Sequence, residues 1–256
     1  MKNLRLSHIY MNYHTIKGET ETLKDISFNV EHGEFVSIVG PSGCGKSTIL
    51  NIIAGLLTPS KGEVLVDNEP IKKSLLKIGY MFQKDQLFQW LSVLDNVLIG
   101  LKVQNKITNE AKDKIKELLI TYGLWEFRDY YPNQLSGGMR QRVALIRTLA
   151  IDPTILLLDE PFSALDYQSR LNASDEIYKI IKNENKTAIM VTHDIAEAIS
   201  MSNRVLILSM RPASIKKEMQ IDLCEKCESP LKSRENPNFS FFFNSIWKEM
   251  DLSEKL

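Results

Sequence analysis

Hydrophobic residues follow two patterns along this chain, and the alternation of these patterns predicts an α/β fold. The runs 35–39, 155–158 and 187–191 are almost continuously apolar, as in parallel strands that are covered on both faces. Segments between them, such as 110–122, instead carry apolar residues at helical spacing. Strands that alternate with helices in this way predict an open, mostly parallel central sheet.

The beginning of the chain departs from this alternation. Segments 4–10 and 23–30 both have β character, and apolar residues alternate with polar ones along the second. We therefore expect a small antiparallel β-layer that is half buried. Tyr13 falls in a polar loop between the two segments, where its ring either caps this layer or offers its face to a nucleotide base.

Two helical segments interrupt the pattern in the middle of the chain. Segments 93–101 and 110–122 follow a predicted strand at 78–82, and no further strand lies beside them in the sequence. They predict a helical subdomain, at about 85–150, that is inserted into the α/β core.

A glycine-rich loop joins the apolar strand 35–39 to a helix predicted at 47–54. Its pattern G-x-x-x-x-G-K-S needs glycines because the backbone wraps around a phosphate so closely that its N–H groups point inward. Lys46 supplies a charge for the β- and γ-phosphates, Ser47 supplies a hydroxyl for Mg²⁺, and the helix dipole adds a positive end. The flanking strand and helix make an ordinary glycine-rich turn the weaker interpretation. The predicted phosphate-binding residues are Gly40, Pro41, Ser42, Gly43, Cys44, Gly45, Lys46, Ser47 and Thr48.

Two acids end the apolar run 155–158, at the edge of the sheet where parallel strands place active sites. We predict that Asp159 binds Mg²⁺ opposite Ser47. Glu160 projects beyond it and is predicted to orient or deprotonate the water that attacks the γ-phosphorus. Paired acids at a strand end often cap the next helix, but the phosphate loop upstream favours catalysis here.

Gln83 and His193 each follow another predicted strand. The oxygen of Gln83 can join the Mg²⁺ shell and its amide can touch the attacking water, whereas His193 can donate a hydrogen bond to the γ-phosphate or to that water. A glutamine in such a place is usually only a turn residue, and a lone histidine is more often structural. Their place beside the predicted phosphates favours catalytic roles for both, with Gln83 also a metal ligand.

Ser136, Gly137 and Gly138 open a long amphipathic helix that is predicted at 139–150. Free N–H groups at a helix start form a second anion-binding geometry. A capping role alone would explain the serine, but it would not explain two glycines that clear side chains from the approach. The sequence thus predicts two phosphate-binding elements in one chain.

Composition and charge narrow the class of protein. The chain has 256 residues with 32 basic and 32 acidic side chains, so bulk charge gives no reason to expect nucleic acid or an anionic membrane as a ligand. Its apolar runs are far shorter than the ~18 residues that span a bilayer, and the N-terminus has no signal-type segment, so we expect a cytoplasmic chain. Three cysteines are too few and too unevenly placed for a secreted disulfide framework.

The motifs resemble, in order and approximate spacing, those of the ATP-binding subunits of ABC transporters. The resemblance covers about residues 4–221 and rests on the phosphate loop, Gln83, the signature 135–142, the acidic strand end, the turn 163–166 and His193. It implies a P-loop NTPase fold, ATP and Mg²⁺ as cofactors, Asp166 among the nucleotide-binding residues, and Tyr13 as the aromatic that stacks on the base.

Details of the motifs are most similar to the nitrate, sulfonate, taurine and bicarbonate importer branch of this family. Met139 stands where glutamine is commonest, and Gln89-Trp90 stands where related importers often have Pro-Trp. Neither departure removes a phosphate-contacting group. The segment 210–212 also looks most like this branch.

In this family two subunits pack head to tail and hold two ATP molecules, each between the phosphate loop of one subunit and the signature of the other. The resemblance therefore implies a homodimer, transmembrane permease subunits docked near Gln83 and Trp90, an extracytoplasmic solute-binding protein, and a place on the cytoplasmic face of the cell membrane, with no nucleic acid. Non-transport ATPases of DNA repair or the ribosome and an exporter ATPase are the alternatives. The solute itself cannot be read from this chain.

The resemblance divides the chain into a nucleotide-binding domain at 1–221 and a C-terminal extension at 222–256. Cys224 and Cys227 have the spacing of half a zinc site, but no second pair completes it, so surface thiols are favoured. The extension ends in an amphipathic helix that either packs back on the domain or serves a partner. Its apolar stripe consists of Phe239, Phe242, Phe243, Ile246, Trp247 and Met250.

Overall fold

Two β-sheets form the framework of this computed structural model, which describes residues 2–15, 18–223 and 229–254. The strands are β1 (Lys2–Thr15), β2 (Gly18–Glu31), β3 (Phe35–Val39), β4 (Lys61–Val66), β5 (Glu69–Pro70), β6 (Ile78–Met81), β7 (Ile155–Asp159), β8 (Thr187–Val191), β9 (Arg204–Leu208) and β10 (Ile215–Gln220). The helices are α1 (Lys46–Ile53), α2 (Val93–Val103), α3 (Asn109–Thr121), α4 (Gly137–Leu149), α5 (Tyr167–Asn183), α6 (Ile195–Met201), α7 (Pro230–Ser233) and α8 (Phe239–Glu254). Short 3₁₀ turns lie at Ile71–Lys73, Leu75–Lys77, Trp125–Phe127 and Pro132–Gln134.

The central sheet has the strand order β10-β9-β3-β8-β7-β6. β10 runs antiparallel to β9, and the other pairs are parallel. This confirms the mostly parallel sheet that the apolar runs predict, and almost every residue of β3, β7 and β8 is buried. Because Ile38 and Asp159 both pair with Val191, the carboxyl ends of these three strands meet at one edge.

The second sheet has the order β2-β1-β4-β5 and is antiparallel throughout, as predicted for the small β-layer. The prediction of a loop around Tyr13 is wrong, because Tyr13 lies in β1 opposite Thr20. The outer half of this hairpin is held by backbone pairing while the β2 side chains there face solvent, so the sequence shows no apolar alternation. Where β4 begins, Gly62 has φ 93° and passes so close to the carbonyl of His8 that only glycine fits.

Helices α2 to α4 are inserted between β6 and β7, within two residues of the predicted bounds. They share a hydrophobic core with one face of the central sheet, where Leu156 and Met190 point. The opposite face, with Leu157 and Ile189, packs against α1 and the second sheet. This arrangement confirms the predicted fold class. No helix in the described ranges is long and apolar enough to cross a membrane.

The end of the chain folds back on the central sheet. α8 packs against α6 and β9, and Ile246 of α8 is fully buried. One member of the predicted stripe, Trp247, is not covered by the domain, because its relative exposure is 59%. The partly buried members of the stripe are Phe239, Phe242, Phe243 and Met250. Cys224 and Cys227 lie outside the described residues.

Candidate active site

The phosphate loop connects β3 to α1 at the carboxyl edge of the central sheet. Lys46 is only 6% exposed, and its Nζ donates to the carbonyl oxygens of Gly40 at 2.8 Å and Pro41 at 2.9 Å. These bonds hold the ammonium within the curve of the loop, next to the N-terminus of α1, so charge and helix dipole act together. The loop approaches β2 closely at Gly45, where φ is 123° and a Cβ would lie 2.8 Å from Leu23 Cδ2. Glycine is required there.

The remaining loop residues have different surroundings. Ser42 and Gly43 are exposed, whereas the Cys44 side chain is buried in the core beneath the loop. Burial raises the pKa of the Cys44 thiol, so the thiol stays protonated and acts as a core group. Thr48 Oγ1 lies 3.4 Å from the hydroxyl of Tyr13, which is 36% exposed. The structure thus brings Tyr13 to the first turn of α1.

A segment near the end of the chain supports the loop. Arg211 donates from Nη2 to the carbonyl oxygen of Gly43. Ala213 donates its N–H to Thr22 O at 2.9 Å and accepts from Lys24 N at 2.8 Å, which fixes this segment to β2. Sequence reasoning missed this support, because nothing in the loop motif signals which distant segment contacts it.

Asp159 lies beside the phosphate loop at the end of β7. Ser47 donates from Oγ to Asp159 Oδ1 at 3.0 Å, and the hydroxyl of Tyr80 donates to Oδ2 at 3.3 Å. Burial raises the pKa of Asp159 and nearby Glu160 adds to the rise, whereas the hydrogen bonds from Ser47 and Tyr80 oppose it. The structure thus brings Ser47 and Asp159 together, and the predicted binding of Mg²⁺ by Asp159 opposite Ser47 stays a prediction. Tyr80 was not predicted, although its place on the strand next to β7 was a usable signal.

Glu160 forms the centre of a polar cluster. Its Oε2 lies 3.1 Å from His193 Nδ1 and accepts from Gln83 Nε2 at 3.3 Å. Glu160 has φ 44°, and its N–H donates to Val191 O at 2.8 Å. Positive φ is uncommon for residues other than glycine and is concentrated at functional sites. Three residues predicted from separate strands thus meet here, and the predicted Mg²⁺ contact of Gln83 stays a prediction.

Ser136 and Asp166 both cap helices. Ser136 Oγ accepts from Met139 N at 3.3 Å at the start of α4, and Asp166 Oδ1 accepts from Ser169 N at 3.0 Å at the start of α5. The hydrogen bonds from Ser169 lower the pKa of Asp166. Within the part of the chain that the structure describes, no hydrogen bond or ion pair joins either cap to the phosphate loop or to Glu160.

The two signature glycines, Gly137 and Gly138, differ in how closely neighbouring atoms approach them. A Cβ on Gly137 would lie 2.7 Å from Leu165 Cδ2, so a larger residue there would displace the end of the Leu165 side chain. A Cβ on Gly138 would meet nothing within 4 Å. Packing within the described residues therefore does not explain a glycine at 138.

Comparison with known proteins decides the family. The model of the family described as "ABC transporter" matches residues 23–163. The chain is also 45% identical over 255 residues to the uncharacterized ABC transporter ATP-binding protein YtlC of Bacillus subtilis (strain 168), which covers 100% of this chain and 98% of that protein. The chain belongs to the ABC transporter family.

Further relatives of this ABC transporter ATPase subunit are similar in sequence and in structure. The aliphatic sulfonates import ATP-binding protein SsuB of Bacillus thuringiensis subsp. konkukian (strain 97-27) is 45% identical over 206 residues, which are 80% of this chain and 81% of that protein. Among solved structures, a dimeric post-hydrolysis state of the ATP-binding cassette MJ0796 bound to ADP and Pi has a TM-score of 0.73 and 35% identity, covering 85% of this chain and 98% of that one. The cassette cbiO1 from Clostridium perfringens, part of the transporter complex cbiONQ, has a TM-score of 0.76 and 28% identity, covering 94% and 97%.

The loop that follows Gln83 is fastened to the inserted helices of this ABC subunit. Arg147 of α4 donates to Asp85 O at 2.7 Å and to Gln86 O at 2.6 Å. Sequence reasoning did not find Arg147, because an arginine within an amphipathic helix looks like an ordinary solvent-facing residue. The contact connects the loop that follows Gln83 with α4, the helix that Ser136 caps.

Proposed function

We propose that this chain powers an importer of a small anion, of the nitrate, sulfonate, taurine or bicarbonate type, and that two copies hold two MgATP between them. The importer class is supported by the SsuB relative, whose name states aliphatic sulfonate import, and by the motif details Met139 and Trp90. The other classes named above lack comparable support. The alternative is an exporter ATPase, and the solute experiment below distinguishes it from an importer.

The observation that carries the two-copy mechanism is the separation of the two phosphate-binding elements within one chain. Ser136 and Asp166 make their hydrogen bonds within their own helix starts and none to the phosphate loop among the described residues. Gly138 faces open space. A triphosphate needs contacts on several sides, and a second copy turned head to tail supplies the missing side.

The residues of one chain divide the chemistry between them. Lys46 and the amide groups of the phosphate loop hold the β- and γ-phosphates, and Tyr13 stacks on the base beside Thr48. Glu160 accepts a proton from the attacking water, while Gln83 and His193 hold that water in line with the γ-phosphorus. The hydrogen bonds that Gln83 and His193 make to Glu160 fix the carboxylate for this task.

Mg²⁺ fits the oxygen donors beside the phosphate loop. The hydroxyl of Ser47 and the carboxylate of Asp159 lie 3.0 Å apart, and such hard oxygen ligands are those that Mg²⁺ prefers. Ser47 and Asp159 would hold the ion, which neutralises charge on the phosphates when it is bound. Tyr80 keeps Asp159 oriented toward that place.

Exposed aromatic side chains near Gln83 provide the surface for permease subunits. Phe82, Phe88 and Trp90 are exposed, and Trp90 is 73% accessible. Phe88 and Trp90 contact each other with ring centroids 5.2 Å apart. Aromatic residues of this kind are enriched in protein interfaces. Docking there places the chain on the cytoplasmic face of the membrane, with a solute-binding protein on the opposite side.

The two-copy mechanism is tested by mixing two inactive variants. Ser136→Arg should abolish hydrolysis while leaving ATP binding by the single chain intact, and Glu160→Gln should abolish hydrolysis from the other side of the site. In a mixed dimer both changes fall on one composite site and the other site is wild type. We expect hydrolysis to reappear on mixing, with Ser136→Arg mixed with itself as the control. Loss of ATP binding by the Ser136→Arg chain would overturn the mechanism.

The import proposal is tested on the native membrane complex. The complex, purified through this subunit and reconstituted with its solute-binding partner, should show ATP hydrolysis that increases with an alkanesulfonate, taurine, nitrate or bicarbonate. Chloride serves as the control anion. Co-purification of permease subunits without any such partner, together with efflux from vesicles, would instead support an exporter.

A further inference from the structure

A buried carboxylate lies behind the histidine loop of the active site. Glu197 of α6 is only 3% exposed. Its Oε2 accepts from Thr192 Oγ1 at 2.8 Å, and Thr192 immediately precedes His193. Asp194 N donates to the same Thr192 hydroxyl oxygen at 3.0 Å. The Glu197 side chain therefore anchors the backbone on both sides of His193.

Arg170 of α5 connects this anchor with the turn that carries Asp166. Its Nη2 donates to Leu165 O at 3.3 Å and its Nη1 donates to Asp194 Oδ2 at 3.4 Å. Its Nε lies 3.8 Å from Glu197 Oε1 and is a buried donor that has no hydrogen-bond partner among the described residues. One guanidinium thus contacts the end of the Asp166 turn, the residue after His193 and the buried carboxylate.

Burial makes the ionised form of Glu197 unfavourable in free energy at this position. Burial, helped by the charge of Asp194, raises the pKa of Glu197 to about 7, against the opposing influence of Thr192, Arg170 and His193. A glutamine has the same shape and can accept the Thr192 hydrogen bond without a buried charge. A purely structural role would therefore be served at least as well by glutamine.

We propose that Arg170 and Glu197 are positioning residues that hold His193 against Glu160 and couple it to the turn at Asp166. The proposal rests on the proposed function, because His193 and Asp166 take their roles from it. Movement of the Asp166 turn, when a second copy contacts it, reaches His193 through the Arg170 guanidinium and the Thr192 hydroxyl. His193 Nδ1, 3.1 Å from Glu160 Oε2, is then placed for hydrolysis only when both loops are in register.

The test uses the full chain with Glu197→Gln, which keeps the side-chain shape. We expect kcat for ATP hydrolysis to fall about tenfold, because the neutral amide no longer pairs with the Arg170 guanidinium 3.8 Å away. KM and ATP affinity should stay within twofold, because Lys46 and its loop are untouched. Thermal stability should be equal to or above that of the wild type. A matched control is Glu34→Gln, since Glu34 also pairs with a buried arginine, Arg204, at 2.8 Å but at the opposite end of β3. Its kcat should not change.

A double-mutant cycle separates positioning from general support. Because Glu197 acts through His193, Glu197→Gln should have no further effect on kcat in a His193→Ala chain. Arg170→Gln and Glu197→Gln should likewise be non-additive when combined. An additive loss of kcat in the His193→Ala background, or wild-type kcat in Glu197→Gln, would overturn the proposal. If His193→Ala itself retains full activity, the proposed role of His193 fails instead, and the two failures are distinguishable.

Discussion

Arg140 and Asp85 form an ion pair in which Arg140 Nε lies 3.0 Å from Asp85 Oδ2. Arg140 stands in the first turn of α4 and also donates to Leu135 O at 2.8 Å, immediately before Ser136. Asp85 follows Gln83 by two residues. The pair therefore ties the signature turn to the loop that follows Gln83.

Asp85→Asn should weaken this tie and lower the hydrolysis rate several-fold, while ATP affinity stays unchanged because the phosphate loop is not involved. Steady-state hydrolysis and a nucleotide-binding titration measure the two quantities. Asp95→Asn is the control, since it breaks the exposed Lys102 pair at 2.7 Å on α2 and should leave both unchanged. Unaltered hydrolysis in Asp85→Asn would show that the tie has no role in turnover.

Glu160→Gln keeps the hydrogen-bonding shape but removes the base. Hydrolysis should fall by ~10²-fold or more, while MgATP binding persists through Lys46, Ser47 and Asp159. The variant should accumulate as an ATP-stabilised dimer, which size-exclusion chromatography with and without ATP measures. Near wild-type turnover would contradict the assignment of Glu160.

Lys46→Ala should lose most of the affinity for ATP, because the triphosphate loses the ammonium held within the loop. A binding titration with purified protein gives the change. Lys77→Ala is a suitable control, because Lys77 is an exposed ammonium paired with Asp67 at 2.8 Å and lies outside the predicted site. Equal affinities for Lys46→Ala and wild type would refute the role of Lys46.

Glu197 makes stability depend on pH in a defined direction. Its pKa is raised from 4.5 to about 7 in the folded protein, so the unfolded chain loses the proton first as pH rises. The contribution of Glu197 to wild-type stability should therefore decline as pH rises from 4.5 to about 7 and stay level above pH 7. The total decline is at most roughly 3.5 kcal/mol, at about 1.4 kcal/mol per unit of pKa.

Glutamine has no carboxyl proton to lose. The melting temperature of Glu197→Gln should therefore exceed that of the wild type by a small amount at pH 5 and by the largest amount at pH 8. Thermal unfolding of both proteins in matched buffers measures the difference. A gap that does not change with pH would mean that Glu197 is ionised in the folded protein throughout.

The fold and the reacting cluster could largely be predicted from the sequence, because both are encoded locally. Buried parallel strands are short apolar runs, and the residues that follow them share one edge of the sheet by geometry. This is why Gln83, Glu160 and His193, which lie far apart in the chain, were predicted as neighbours. The helix start at Ser136 was likewise visible, because a cap explains the serine.

Contacts between distant elements could not be predicted, because local periodicity does not state which elements pack together. Tyr80 donates to Asp159 and Arg211 donates to Gly43, and no local pattern in the sequence states that these pairs of residues meet. Tyr13 was misplaced for a related reason, since backbone pairing extends the hairpin where side chains face solvent. Trp247 was included in the apolar stripe although it is exposed, because helical spacing does not show how much of a helix face the neighbouring elements will cover.

The strand that carries the phosphate loop lies between β8 and β9, and both come from the last third of the chain. During synthesis the residues of the loop therefore leave the ribosome long before the strands that flank β3. Helices α2 to α4 have near neighbours in the sequence and gain their contacts sooner. The nascent chain thus completes its ATP site after its helical insertion has formed, when β9 and then Arg211 reach the loop.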